Sequence, residues 1–130
     1  MTNSISPRRS LLFTPANRPT LFSKAVTSGA DMICIDLEDA VASDQKQLAR
    51  ADALNFLLQD SQAAPERIIR INSPNTAIGQ DEFDEALKKE HISGTILIPK
   101  VESSNQIQEL HKQLSKKGAP LKLAIMIETI

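Results

Sequence analysis

Five short apolar runs punctuate the chain: SLLFTP (Ser10–Pro15), MICIDL (Met32–Leu37), RIIRIN (Arg67–Asn72), TILIPK (Thr95–Lys100) and LAIMIE (Leu123–Glu128). Most are continuous rather than alternating, the pattern of parallel strands covered on both faces. Between them, apolar residues return every three or four positions, which predicts helices. Leu21, Phe22, Ala25 and Val26 mark a first helix that ends at Gly29. SDQKQLARADALNFLLQ predicts a second, with Ser43 as N-cap, Asp44 in the first turn and an apolar stripe of Leu48, Ala51, Leu54 and Leu58. Asp81 is expected to cap a shorter third helix containing Phe83, Ala86 and Leu87. In SSNQIQELHKQLSKKG, Ser103 and Gln106 have capping-box spacing, Ile107, Leu110 and Leu114 form one stripe, and Gly118 follows Lys116 and Lys117 as a C-terminal stop. NSPNTAIGQ, after the third run, reads as the longest irregular stretch.

The order βαβαβαβαβ predicts an α/β protein with a parallel sheet. On spacing alone two architectures stand level. A doubly wound sheet could close with these strands. A (β/α)₈ barrel uses about 250 residues, so 130 residues would hold about four units and one further strand. Composition narrows the chemistry more than the fold. A net charge of −1, with bases scattered singly among acids, gives no reason to expect nucleic acid or a membrane as partner. No apolar stretch reaches the about 18 residues of a membrane span, and the N-terminal segment has no apolar secretion signal. The lone Cys34 excludes an intrachain disulfide and suits a reducing, cytoplasmic setting; within MICIDL it is expected to be an inert core thiol.

Polar residues end each apolar run: Thr14 with Pro15; Asp36, Glu38 and Asp39; Arg70 and Asn72; Lys100; Glu128. A parallel sheet gathers all its strand C-termini at one end, where ligands bind in either architecture. Acids and bases at the mouth of an apolar core are costly unless paired or used. Glu128 is a hard oxygen ligand suited to Mg²⁺, or else an ion-pair partner for Lys100. Arg70 could grip a carboxylate at two points, or else be held by Asp36 or Glu38. The DLED acids outnumber Arg70, so at least one is expected to meet Lys46, Arg50, solvent or a cation-bound water. Lys100 among acids should be held protonated, which disfavours a Schiff-base role. His91 and His111 are expected on the surface, and no Gly-rich phosphate loop, CxxC or HExxH is present.

RRSLLFTPANRPTLFSKAV, GADMICIDLEDAV with KQLAR, IIRINSP, ILIPKVES and IMIET, in this order and spacing, resemble the citrate lyase beta subunit family. This is the CoA-ester lyase branch of the HpcH/HpaI aldolase superfamily. The resemblance covers nearly all of Arg8 to Thr129. It implies a (β/α)₈ TIM barrel, of which residues 1–130 would be the N-terminal part of a single domain, with five strands and four helices. It also implies a Mg²⁺-dependent carbon–carbon lyase that cleaves a 3-hydroxyacyl-CoA thioester of the citryl-, malyl- or citramalyl-CoA type through a metal-stabilised enolate. By the same resemblance Glu128 binds metal and substrate, and Arg70 grips the substrate carboxylate or keto acid. Pro15, Ala16 and Asn17 lie near the CoA arm, while Asp36, Glu38, Asp39 and Lys100 support the site. The family's second metal ligand is an aspartate on the following strand, which would lie beyond Ile130. These 130 residues are therefore expected to be inactive alone, and the full-length protein is expected to be a homo-oligomer. An aldolase of the other branch would carry a histidine beside the acidic motif, where this chain reads DLEDAV.

Overall fold

The computed structural model describes residues 6–59, 65–118 and 120–128. Its strands are β1 (Leu11–Pro15), β2 (Met32–Asp36), β3 (Glu66–Arg70), β4 (Gly94–Ile98) and β5 (Leu121–Ile125). They form one parallel sheet in the order β1-β2-β3-β4-β5. The helices α1 (Phe22–Val26), α2 (Lys46–Leu58), α3 (Ala77–Lys88) and α4 (Ser104–Lys117) connect successive strands.

Two features decide between the architectures. A doubly wound sheet reverses strand order at a switch point and carries helices on both faces; this sheet runs in chain order without reversal. Strand residues of one parity, Ile33, Ile35, Ile69, Ile71, Ile96 and Ile98, pack with Ala53, Leu57, Phe83 and Leu114 from the helices. Those of the other parity, Met32, Cys34, Ile68 and Leu97, cluster with Ala124 and Met126 and with no helix residue. One face under helices and one face turned inward is a barrel wall. Cys34 lies on the inner face, fully buried, and burial pushes its thiol pKa well above the ordinary range. Among the described residues no helix is long and apolar enough to cross a membrane.

Three local expectations need correction. Ser43 does not cap α2: it begins a 3₁₀ turn, Ser43–Gln45, that leads into the helix at Lys46. The face of α2 that packs inward is Ala49, Ala53, Leu54, Phe56 and Leu57, while Leu48 is 80% exposed. Phe56 sets that rotation, with Phe22 edge-on at 5.6 Å and the Arg67 guanidinium 4.4 Å from its ring centre. The third helix starts at Ala77 rather than Asp81, so the last four of the nine residues of the supposed loop are helical. Thr76 caps it, its Oγ1 accepting from the Gly79 N–H at 3.1 Å. Gly79 is dictated by space, since a Cβ there would lie 2.0 Å from the Ser73 carbonyl oxygen.

The fourth helix follows expectation at both ends. The Ser103 hydroxyl accepts from the Gln106 N–H at 3.4 Å. Gly118, at φ +70°, closes the helix by donating to the Leu114 and Ser115 carbonyls.

Candidate functional site

The inner face of the sheet ends in an acid–base ladder. Asp36 and Arg70 are direct partners across the β2–β3 pairing, so their side chains share the inward direction. Arg70 Nε donates to Asp36 Oδ1 at 2.8 Å and Nη2 to Oδ2 at 2.6 Å, a two-pronged contact. The guanidinium carbon lies 4.9 Å from the Phe13 ring centre. The Asp36 hydrogen bond leads the effects that raise the Arg70 pKa above its ordinary value. Asp36 also accepts from the Glu38 and Ala40 N–H groups at 2.9 and 3.3 Å, folding the DLED loop back over the strand end. Among the described residues the third guanidinium nitrogen, Nη1, has only looser neighbours, Glu38 Oε1 at 3.5 Å and Met126 Sδ at 3.6 Å. It is the prong best placed to take a ligand oxygen.

Glu38 joins the two cations. Its Oε2 lies 3.2 Å from Lys100 Nζ, and its buried Oε1 faces Arg70 without a hydrogen bond. Lys100 is held more firmly protonated than usual, chiefly by that bond to Glu38, as expected against a Schiff-base role. Asp39 is exposed, and its charge adds to the raised pKa of both Arg70 and Lys100. Lys46 grips main chain rather than an acid, donating to the Leu37 and Glu38 carbonyls at 2.8 and 2.5 Å. Arg50 turns instead to Glu85 at 3.1 Å.

Strand β5 ends at Ile125, so Glu128 lies in the segment beyond it, not on the strand itself. The row Arg70, Leu97, Ala124 crosses three strands. Met126, next along that inward parity, touches Arg70. Glu128 follows two residues later, exposed. It does not pair with the Lys100 ammonium: its Oε2 accepts the Lys100 main-chain N–H at 2.8 Å. At the β1 end, Ala16 is buried with its N–H on the Asp36 carbonyl at 2.9 Å. Asn17 donates to Gln45 Oε1 at 2.6 Å. Sharing Glu38 and Lys100 with the ladder, a cleft of about 600 Å³ is also lined by Asp39, Lys46, Asn72 and Thr76, among others.

Sequence reasoning missed Glu82. It is 1% exposed on α3, and both its oxygens accept from Asn72 Nδ2 at 2.9 Å. Oε1 also accepts the Asn72 N–H at 2.7 Å. Burial raises its pKa, opposed by those hydrogen bonds. Asn72 passes the constraint on, donating to the Leu37 carbonyl at 3.0 Å beside Lys46. The signal was present: Glu82 occupies a core position in the stripe Gly79, Glu82, Phe83, Ala86.

Residues 9–129 match the HpcH/HpaI aldolase/citrate lyase family, and the chain belongs to it. A citrate lyase subunit beta-like protein of Mycobacterium tuberculosis is 38% identical over 91% of this chain and 38% of its own length. A mitochondrial citramalyl-CoA lyase of Homo sapiens is 27% identical over 95% of this chain and 38% of its own. The structure of CitE from M. tuberculosis with magnesium, acetoacetate and coenzyme A superposes with a TM-score of 0.70 at 34% identity, covering 95% of this chain and 42% of that one. The chain thus spans well under half the length of these relatives.

Among the described residues no three His, Cys, Asp or Glu side chains converge on a possible metal position. Glu128 fits as one oxygen ligand, being an exposed carboxylate with a single main-chain hydrogen bond identified. That suits Mg²⁺, which takes one or two carboxylates and keeps water or substrate oxygens in its other positions. Asp36 and Glu38 are less suited, since each already neutralises a cation.

Proposed function

We propose that this chain carries the arginine-and-glutamate part of a Mg²⁺-dependent carbon–carbon lyase site for a 3-hydroxyacyl-CoA thioester of the citramalyl-, malyl- or citryl-CoA type. The supporting observation is that Arg70 Nη1, without a close partner among the described residues, lies 3.6 Å from Met126 Sδ, two residues before the exposed Glu128. Relatives named for citramalyl-CoA lyase and citrate lyase beta, and a neighbour holding magnesium, acetoacetate and coenzyme A, support the class of substrate.

In this reading Arg70 Nη1 binds a keto-acid or carboxylate oxygen, and Asp36 keeps the fork flat and oriented. Phe13 shields one side of the guanidinium from water. Glu128 would be one ligand of Mg²⁺, which when bound supplies Lewis-acid polarisation of an oxygen on the substrate. Pro15, Ala16 and Asn17 are the proposed contact for the CoA arm. The second metal carboxylate, a homo-oligomeric assembly and a cytoplasmic setting belong to the same proposal. The test is Mg²⁺-dependent release of a keto acid from the three thioesters by a chain extended to the length of its relatives. Absence of turnover on all three counts against the reading.

A second reading is that these residues form a half-barrel without activity of its own that joins a separate chain. It is favoured by the apolar side chains left exposed at the two sheet edges, Leu11, Leu12 and Phe13 on β1 and Ile125 and Ile127 at β5. Co-purification of a second polypeptide that completes the sheet would support it, and a monodisperse folded monomer would exclude it.

A further inference from the structure

We propose that Lys100 is a positioning residue with two separate tasks: its main-chain N–H orients Glu128, and its ammonium neutralises Glu38. The inference rests on the proposed role of Glu128 and deepens it.

Lys100 has φ +53°, a left-handed backbone that side-chain-bearing residues rarely adopt. Among the described residues the only other non-glycine with positive φ is His91, at the exposed turn before β4. A turn that merely needed this geometry would favour Gly or Asn. At Lys100 the unfavourable backbone and the long side chain are both in use. The N–H lies 2.8 Å from Glu128 Oε2, a charge-assisted bond to a side chain that is otherwise exposed. The ammonium lies 3.2 Å from Glu38 Oε2, and Glu38 is 5% exposed. Main-chain bonds on either side, Met126 N–H to Ile98 O at 2.9 Å and Val101 N–H to Met126 O at 3.4 Å, fix the turn against the segment that bears Glu128. The strained turn thus places a donor opposite the terminal acid, and the side chain reaches back to the acid of β2.

The two tasks separate by mutation. Lys100→Gly keeps the N–H and the left-handed backbone but removes the ammonium. Glu128→Ala removes the acceptor at an exposed position, where loss of the fold is not at issue. Both are read by NMR of the isotopically labelled 130-residue chain, through the residue-100 amide proton and the side-chain carboxyl carbons of Glu38 and Glu128. Lys100→Gly should shift the Glu38 carboxyl resonance and leave that of Glu128 near its original position. Glu128→Ala should move the residue-100 amide proton upfield, whereas Glu38→Gln should leave it in place. An unmoved amide in Glu128→Ala, or a Glu128 shift in Lys100→Gly as large as that of Glu38, would overturn the assignment. Neither result depends on turnover or on bound metal, so failure here is distinct from failure of the lyase reading.

Discussion

Asp36 and Arg70 bury their charges against each other, with side chains 3% and 10% exposed. Removing one partner of such a pair leaves the other charged and poorly solvated. Asp36→Asn should therefore destabilise the chain by about 3 kcal/mol in urea unfolding, near the low end for a broken buried pair because Glu38 remains close. An unchanged midpoint would mean the pair is effectively in water. Glu82 gives a pH signature of opposite sense to the usual acid. Its folded-state pKa is raised, so its contribution to stability is fully present below the unfolded carboxyl pKa and is lost as pH rises through the folded one. Glu82→Gln should flatten stability across that window, seen as a difference in urea midpoint that grows with pH above the ordinary carboxylate range. Parallel midpoint curves would contradict it. The cations and acids at the run ends were legible because parallel strands share a C-terminal side. Their partners were legible only in part: Asp36 and Glu38, the partners named for Arg70, both lie against it, whereas a carboxylate, a main-chain N–H and a carbonyl compete for the others on geometry alone. Glu128 and Lys46 both chose main chain.

At the scale of elements, α3 is the exacting one. Its first turn presses on the β3 end so closely that a methyl group at Gly79 would meet the Ser73 and Asn72 carbonyl oxygens at 2.0 and 2.4 Å. Gly79→Ala should cost about 1–3 kcal/mol in thermal or urea unfolding, despite the better helix propensity of Ala, and should disturb the Asn72–Glu82 contact. A gain in stability would show that the helix can move away. Strands were legible from their continuous apolar runs, with the ends of β5 misplaced because LAIMIE continues apolar past the last ladder residue. The start of α3 was hidden because the turn cluster SPNT masks a Thr cap, and the packed face of α2 because Leu48 and Leu58 offered an equally periodic alternative.

For the whole molecule, strand order and the helix-free inner cluster carry the architecture, and neither is written in local periodicity. The sequence left the doubly wound sheet and the barrel level; only the family resemblance separated them, in the direction the sheet takes. A sheet with edges at β1 and β5 also explains why apolar side chains of the β1 run remain exposed although its pattern is that of a covered strand.

The central claim is that Arg70 and Glu128 serve one ligand at the inner mouth of this sheet. Calorimetric titration of acetoacetate or oxaloacetate, with and without Mg²⁺, into a chain extended to the length of its relatives tests it most directly, with Arg70→Lys and Glu128→Gln as variants. The account predicts Mg²⁺-dependent binding that each variant weakens by about tenfold or more, as expected when a charge-assisted contact is lost. Binding that is indifferent to Mg²⁺ and unchanged in both variants would contradict it.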